Sequence, residues 1–331
     1  MRVSARFNRY ATLGLLPSSK TSMRMSPSVV PAGNSIWRTA TLISLLAGAS
    51  LAQQSTVSSP PTEPAELVRK TVANEIKASK DDSARFMFRS TKTTPKGSVT
   101  KIYIETKEAT AGMVVAYNGK PLTPEQRKAE LARIERFLKN PDELAKKRRQ
   151  EQQDADRTMR IVRALPDAFL YEYAGQQLGT AGVGKPGDLL VALNFRPNPK
   201  YEPPSRVEQV LTGMEGVVLL DTRCHRLASI DGHLFKDVSF GWGILGHLDK
   251  GGHFLVQQQE ITDNYWSISA MKLDITGKVL LVKSLVFSMT EVFSDFKPVP
   301  KDVTFAQAVE LLEKEEAVFA DNFSAGTMTP R

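Results

Sequence analysis

From Phe169 to Phe287 short segments with strand character dominate the chain. Residues 169–173, 188–195, 216–221, 226–231, 238–248, 253–261, 265–273 and 279–287 carry the apolar and β-branched runs of strands. Strands that follow one another through short turns pair antiparallel, because a parallel pair needs a crossover of a dozen or more residues. Three earlier segments, 84–90, 98–105 and 112–117, read as a meander turning at Thr94-Pro95-Lys96-Gly97 and Glu108-Ala109-Thr110.

Helical spacing is segregated from these runs. Leu67, Val68, Val72 and Ile76 recur at helical period through Lys80, and Phe305, Val309 and Leu312 do so within 305–317. A helical insertion occupies 123–165. Thr123-Pro124-Glu125-Gln126 supplies an N-cap, a Pro at the first helical position and a Gln at the third, and Asn140-Pro141-Asp142-Glu143 repeats the arrangement with Glu. Leu131, Ile134 and Leu138 form the stripe of the first helix; Leu144, Met159, Ile161, Val162 and Leu165 mark the second. Between them the run from Lys146 to Arg157 alternates charge, with Lys147/Glu151 and Asp156/Arg160 four apart, as on a solvated face. The fold class expected is α+β: a curved, half-barrel-like antiparallel sheet with an N-terminal helix, an inserted helical hairpin and a C-terminal helix.

The first 52 residues differ from the body. They hold Arg2, Arg6, Arg9, Lys20, Arg24 and Arg38 and no acid, so without them the net charge of +8 falls to +2. The body therefore lacks the basic excess of a nucleic-acid binder. Thr39 to Leu51 is uncharged, and Ser50 and Ala52 place small residues at −3 and −1 before Gln53: a secretory signal peptide with an N-terminal extension, cleaved after Ala52. Thirteen residues are too few for a span, which needs about 20, so the mature form is expected to be exported to the periplasm or cell envelope and not to span the membrane. Residues 53–64 read as a Ser/Pro/Gln linker, 65–316 as one domain, and 317–331 as a flexible tail. Cys224 is the single cysteine, which excludes an intramolecular disulfide.

Gly182-Val183-Gly184-Lys185-Pro186-Gly187 spells a dinucleotide-type glycine pattern, but Pro186 stands where a helix must begin and a strand follows, so it reads as a plain loop. His225, His233, His247 and His253 fall close together beside Cys224, with no standard zinc spacing; His247 and His253 are the minority metal candidates, and no metal or cofactor is expected. No nucleophile elbow and no carboxylate pair of catalytic spacing is present. In 238–254 the even positions Phe240, Trp242, Ile244 and Phe254 are bulky, while Gly241 and Gly243 leave the other side bare. A hairpin turning at Lys250-Gly251-Gly252 sets Leu248 opposite Phe254 and makes His247 and His253 diagonal neighbours on the opposite face. Phe240, Trp242, Ile244 and Phe254 are the candidate ligand face, with packing against helices the alternative.

Residues 91–126, 163–173, 204–221, 234–254 and 290–300 resemble a family of uncharacterised exported bacterial proteins, over most of 65–316. The architecture is similar to that of periplasmic lipoprotein carriers of the outer-membrane lipoprotein-sorting type. That resemblance implies an apolar cavity for acyl chains. The function expected is therefore a non-enzymatic exported protein binding a lipid, acyl chain or lipoprotein. The alternatives are an envelope module that contacts a protein partner through the 123–165 helices, and a metal-dependent hydrolase.

Overall fold

A computed structural model describes residues 63–241, 246–263, 265–279 and 283–324. In chain order the elements are α1 (Pro64–Ser79), β1 (Arg85–Thr94), β2 (Gly97–Ile104), β3 (Ala111–Tyr117), β4 (Lys120–Pro121), α2 (Pro124–Lys139) and α3 (Pro141–Ala168). Then follow β5 (Phe169–Leu178), β6 (Leu189–Pro197), α4 (Arg206–Gln209) running into a 3-10 turn (Val210–Gly213), β7 (Met214–Asp221), β8 (Arg226–Leu234), β9 (Val238–Phe240) and β10 (Gly246–Leu248). The chain closes with β11 (His253–Thr262), β12 (Tyr265–Val279), β13 (Lys283–Val299) and α5 (Phe305–Ser324). The signal segment and nearly all of the linker expected from the sequence lie outside the described residues.

Both helix-start signals operate. Gln126 N–H donates to Thr123 Oγ1 at 3.3 Å and Thr123 N–H to Gln126 Oε1 at 2.9 Å, which is a complete capping box. Asn140 Oδ1 accepts from the N–H groups of Asp142 and Glu143, so a single residue ends α2 and begins α3. The charged run of α3 is less solvated than its alternation suggests. Glu151 accepts from Lys147 Nζ at 2.5 Å and from Thr110 N–H at 3.1 Å, which ties α3 to the turn between β2 and β3.

The described strands form one open antiparallel sheet in the order β4-β3-β2-β1-β13-β12-β11-β8-β7-β6-β5, with β10 pairing β12 and β9. Register breaks at Met87/Arg89, Thr100/Lys101, Tyr173/Gly175, Leu219/Leu220 and Gln257/Gln258 are bulges, the device that bends a sheet. Paired residues share a face, so the register draws one row across nine strands: Tyr173, Leu193, Val218, Ile230, Val256, Met271, Glu291, Lys92 and Val99. The row is apolar from β5 to β12 and charged where it reaches β13 and β1.

Helices cover opposite faces at opposite ends. On the face of that row α1 and α3 bury Leu67, Val68, Val72, Met159, Val162 and Leu165 against Leu193, Phe195, Val218 and Leu220. On the reverse face α5 buries Phe305, Ala308, Val309 and Leu312 against Ile102, Ile104, Met113 and Val115, and Ile134 of α2 joins them. The final helix continues to Ser324, past the Ala317 at which the tail was expected to begin, because Phe319 is still part of this core.

The segment 238–248 corrects the sequence expectation. It is not one strand paired with 253–261 around Lys250-Gly251-Gly252. Gly241 has φ +57°, which breaks the strand, and the chain turns back so that Phe240 pairs Gly246 and Val238 pairs Leu248. Leu248 also pairs Gly277 of β12, where a Cβ would stand 2.2 Å from His247 O; only glycine lets β10 lie there. β11 instead joins β8, with His253 opposite His233, and β12, with His253 opposite Asp274.

The two sheet edges are treated differently. At β3, Val114 N–H donates to Glu130 Oε1 at 2.7 Å and Gly112 C=O accepts from Arg133 Nη2 at 2.7 Å. Glu130 and Arg133 are themselves joined at 2.7 Å, so α2 presents a side-chain fork to the open backbone. Burial acts to raise the Glu130 pKa, but its hydrogen bonds to Arg133 and Val114 outweigh that and hold the carboxyl below its usual value. β5, at the other end, pairs among the described residues only with β6.

Candidate functional site

Phe240 and Phe254 are both buried in the main core, whereas Trp242 and Ile244 lie outside the described residues. The face that Phe254 shares with Val256 and Met271 continues under α1 and α3. Helix α1 is fixed there by Glu75, which takes Arg226 Nε at 2.8 Å, Arg226 Nη2 at 3.1 Å and Leu227 N–H at 2.9 Å, with both charged side chains buried. Arg226 in turn lies 5.5 Å from the centroid of the Trp266 ring. The void left between α1, α3 and β6–β8 has a volume of about 20 Å³. That is room for one water, and Thr71 Oγ1, which borders the void, is buried without a partner. Ligand pockets measure about 300–1,000 Å³, so this part of the face is packed core.

The histidines do not gather into one cluster, although His253 lies opposite His233. His247 Nε2 pairs with Asp249 Oδ1 at 3.1 Å, His253 Nε2 with Asp231 Oδ1 at 2.7 Å and His233 Nε2 with Glu215 Oε1 at 3.2 Å. His247 pairs across β10 with Ser239 and Lys278, and His253 across β11 with His233 and Asp274, so the diagonal pair expected from the hairpin is not formed. Among the described residues no group of three His, Cys, Asp or Glu is placed to hold a metal ion.

Cys224 sits in the β7–β8 turn, where Asp221 Oδ1 accepts from Arg223 N–H, Cys224 N–H and, at 3.3 Å, the Cys224 thiol. Burial, and then the Asp221 charge, push the thiol up to about 12, which makes it a poor nucleophile at neutral pH. The glycine-rich loop is structural. Gly184, with φ +71°, donates N–H to Gln258 O at 2.7 Å and accepts from Glu260 N–H at 3.2 Å, completing the stretch of β11 that β8 leaves unpaired.

An open concavity lies elsewhere, between α2 and α5. These helices run antiparallel, since Arg127 Nε bonds Glu316 Oε2 at 2.8 Å near one end and Phe137 meets Phe305 near the other. The groove between them has a volume of about 960 Å³. Leu122, Leu131, Ile134, Leu138, Val309, Ala317 and Ala320 give it an apolar lining, and Arg127, Lys128, Glu135, Glu313, Glu316 and Asp321 supply its charges. The Arg127–Glu316 bond raises the Arg127 pKa still further, so Arg127 keeps its charge. Exposed Leu138 adjoins the groove, and Val318 and Phe323 are exposed on the same terminal helix.

Sequence reasoning identified the stripe Leu131, Ile134, Leu138 but assigned it no groove, offering the 123–165 helices only as a contact for a protein partner. The signal for a groove was present: Ala317 and Ala320 are small residues three apart on α5, in what was read as tail. What periodicity could not supply is that α5, the last element, returns to lie beside α2.

No protein-family model matches this chain, and no curated protein sequence matches it. Solved structures with similarity to it include one described as an outer membrane lipoprotein-sorting protein domain from Vibrio parahaemolyticus. The similarity covers 76% of this chain and 98% of that one, at 9% sequence identity and a TM-score of 0.28.

Proposed function

We propose that this is an exported, non-catalytic protein of the cell envelope that holds the acyl chain of a lipid or lipoprotein in the groove between α2 and α5. The observation that carries this reading is the contrast between the two apolar surfaces. The face of Phe254 is filled where α1 and α3 lie on it, whereas the α2–α5 groove has an apolar lining and a volume of about 960 Å³, within the range of ligand sites. Each methylene removed from water contributes about 0.8 kcal/mol, so such a groove favours long chains over short ones. Export is supported by the basic, then uncharged, then small-residue order of residues 1–52. Among the described residues no helix is long and apolar enough to cross a membrane. Non-catalytic character is supported by the use made of buried carboxylates. Glu75 holds α1, Glu130 closes an edge, Glu291 accepts from Ser90 Oγ, and Glu316 joins α5 to α2.

The test is binding of a fluorescent long-chain fatty acid to the delipidated protein, with Ala132→Trp and Ala320→Trp as variants that fill the groove. Saturable binding lost in both variants is expected; binding that both retain rules out this groove.

The second reading, docking of an envelope protein partner on the 123–165 helices, is favoured by the exposed Leu138 at the rim of the same groove. Deleting the insertion does not test it. Met159, Val162 and Leu165 are core, and Glu130, Arg133 and Glu151 close the β3 edge, so the deletion unfolds the domain. The groove-filling variants separate the readings: a lipid site loses fatty acid, whereas a partner site loses pull-down while no fatty acid binds the wild type.

A further inference from the structure

We infer that β5 is the docking edge for a second copy of this chain, the two β5 strands pairing antiparallel about a two-fold axis and continuing the sheet through both copies. An edge strand exposes a row of unpaired N–H and C=O groups, and folded proteins blunt such rows with short strands, charges, proline or a covering element. This protein does all of that at one end of the sheet. β4 is two residues long and ends in Pro121, while Glu130, Arg133 and Glu151 occupy backbone groups of Val114, Gly112 and Thr110.

At the other end, among the described residues, the edge is longer and carries fewer of these devices: one charge and one bulge, with no proline. β5 is ten residues long, contains no proline and carries one charge, Glu172, which is held by Arg196 Nη2 of β6 at 3.3 Å. Leu170 and Leu178 stand exposed on it.

The strand is also self-complementary, and its bulge is the reason. In a two-fold antiparallel pair, opposed residues must share a face. A regular strand of ten residues laid fully against its own copy opposes residues of opposite faces. In β5 the register with β6 slips between Tyr173 and Gly175, so Phe169, Tyr171, Tyr173, Gln176 and Leu178 share one face and Leu170, Glu172, Gly175 and Gln177 the other. Full overlap then sets Phe169 opposite Leu178 of the second copy, Tyr171 opposite Gln176, Leu170 opposite Gln177 and Glu172 opposite Gly175. Every one of these pairs shares a face, exposed Leu178 gains an aromatic neighbour, and no like charges meet. A closed two-fold pair of this kind uses up both edges and does not propagate.

The test uses the full chain, recovered after expression with its leader. Sedimentation velocity over a concentration series is expected to show a monomer–dimer equilibrium, and amide exchange at 170–178 is expected to slow as concentration rises while exchange in α2 and α5 does not. The variants Leu170→Lys and Leu178→Lys, at exposed positions, are expected to retain the wild-type melting temperature and circular dichroism and to sediment as monomers. A wild type that stays monomeric overturns the proposal. So does a dimer that persists in both folded variants, or one whose concentration-dependent protection appears at the α2–α5 groove. If a variant unfolds, the exchange pattern of the wild type decides alone.

Discussion

Removing the Glu75 carboxylate should loosen α1 more than any single apolar truncation in that helix. Glu75 and Arg226 are both buried and are joined by bonds of 2.8 and 3.1 Å, while Leu227 N–H adds a third at 2.9 Å. Glu75→Ala strands a buried guanidinium, which costs about 3–5 kcal/mol, and leaves a buried backbone N–H unpaired, which costs about 1–3 kcal/mol more unless water reaches it. Domains are stable by about 5–15 kcal/mol, so the loss is about a quarter of the total or more. At about 2–4 °C per kcal/mol for a domain of this size, the summed loss of about 4–8 kcal/mol should lower the melting temperature by about 8–32 °C. The double variant Glu75→Leu with Arg226→Met removes both charges together and should recover most of that loss, because desolvating the pair offsets much of its attraction. Urea denaturation of the two single variants and the double variant gives the coupling. Additive effects, or a Glu75→Ala cost under about 1 kcal/mol, would refute the claim that this pair fixes α1 over the sheet.

The remaining predictions concern the sheet and the thiol. Gly277→Ala places a Cβ about 2.2 Å from His247 O and should cost about 1–3 kcal/mol; unchanged stability, with amide exchange in 246–248 unaffected, would contradict the pairing of β10 with β12. Glu130→Ala frees Val114 N–H at the β3 edge and should speed aggregation on heating, read by light scattering, whereas Glu135→Ala on the same helix should not. Cys224, held up to about 12, should resist iodoacetamide at pH 8 in the folded protein and react readily in urea. The sign of its pH dependence follows. The unfolded thiol ionises near pH 8.5 and the folded one later, so its contribution is intact below about pH 8.5 and is lost as pH rises from there toward 12. Stability rising over that interval in wild type relative to Cys224→Ala would contradict the assignment.

Local signals in the sequence predicted the structure well where the decisive contacts are local. Most strands reappear as read, whereas 238–248 splits in two and the strand read at 279–287 is β13, Lys283–Val299. The capping box at Thr123 and Gln126 and the cap at Asn140 reappear as read. So does the loop character of Gly182–Gly187, since Pro186 blocks a helix there. The hairpin at 238–254 was misread because its register depends on two distant facts. Gly241 takes a positive φ, and Gly277, 36 residues further on, leaves the space into which His247 O fits. Alternation correctly made Phe240 and Phe254 apolar-facing, but it does not distinguish a lined cavity from a packed core. That distinction came from α1, whose polar Glu75 carries the contact and contributes nothing to a hydrophobic stripe. The groove was hidden for a similar reason, since neither α2 nor α5 announces the other.

The most direct test of the central claim is native mass spectrometry of the exported protein, followed by solvent extraction and lipid analysis. The account predicts a bound long-chain acyl species that is released on delipidation, rebinds, and is absent from Ala132→Trp and Ala320→Trp. A protein that carries no lipid and binds none on titration, or one whose bound lipid survives both substitutions, would contradict it.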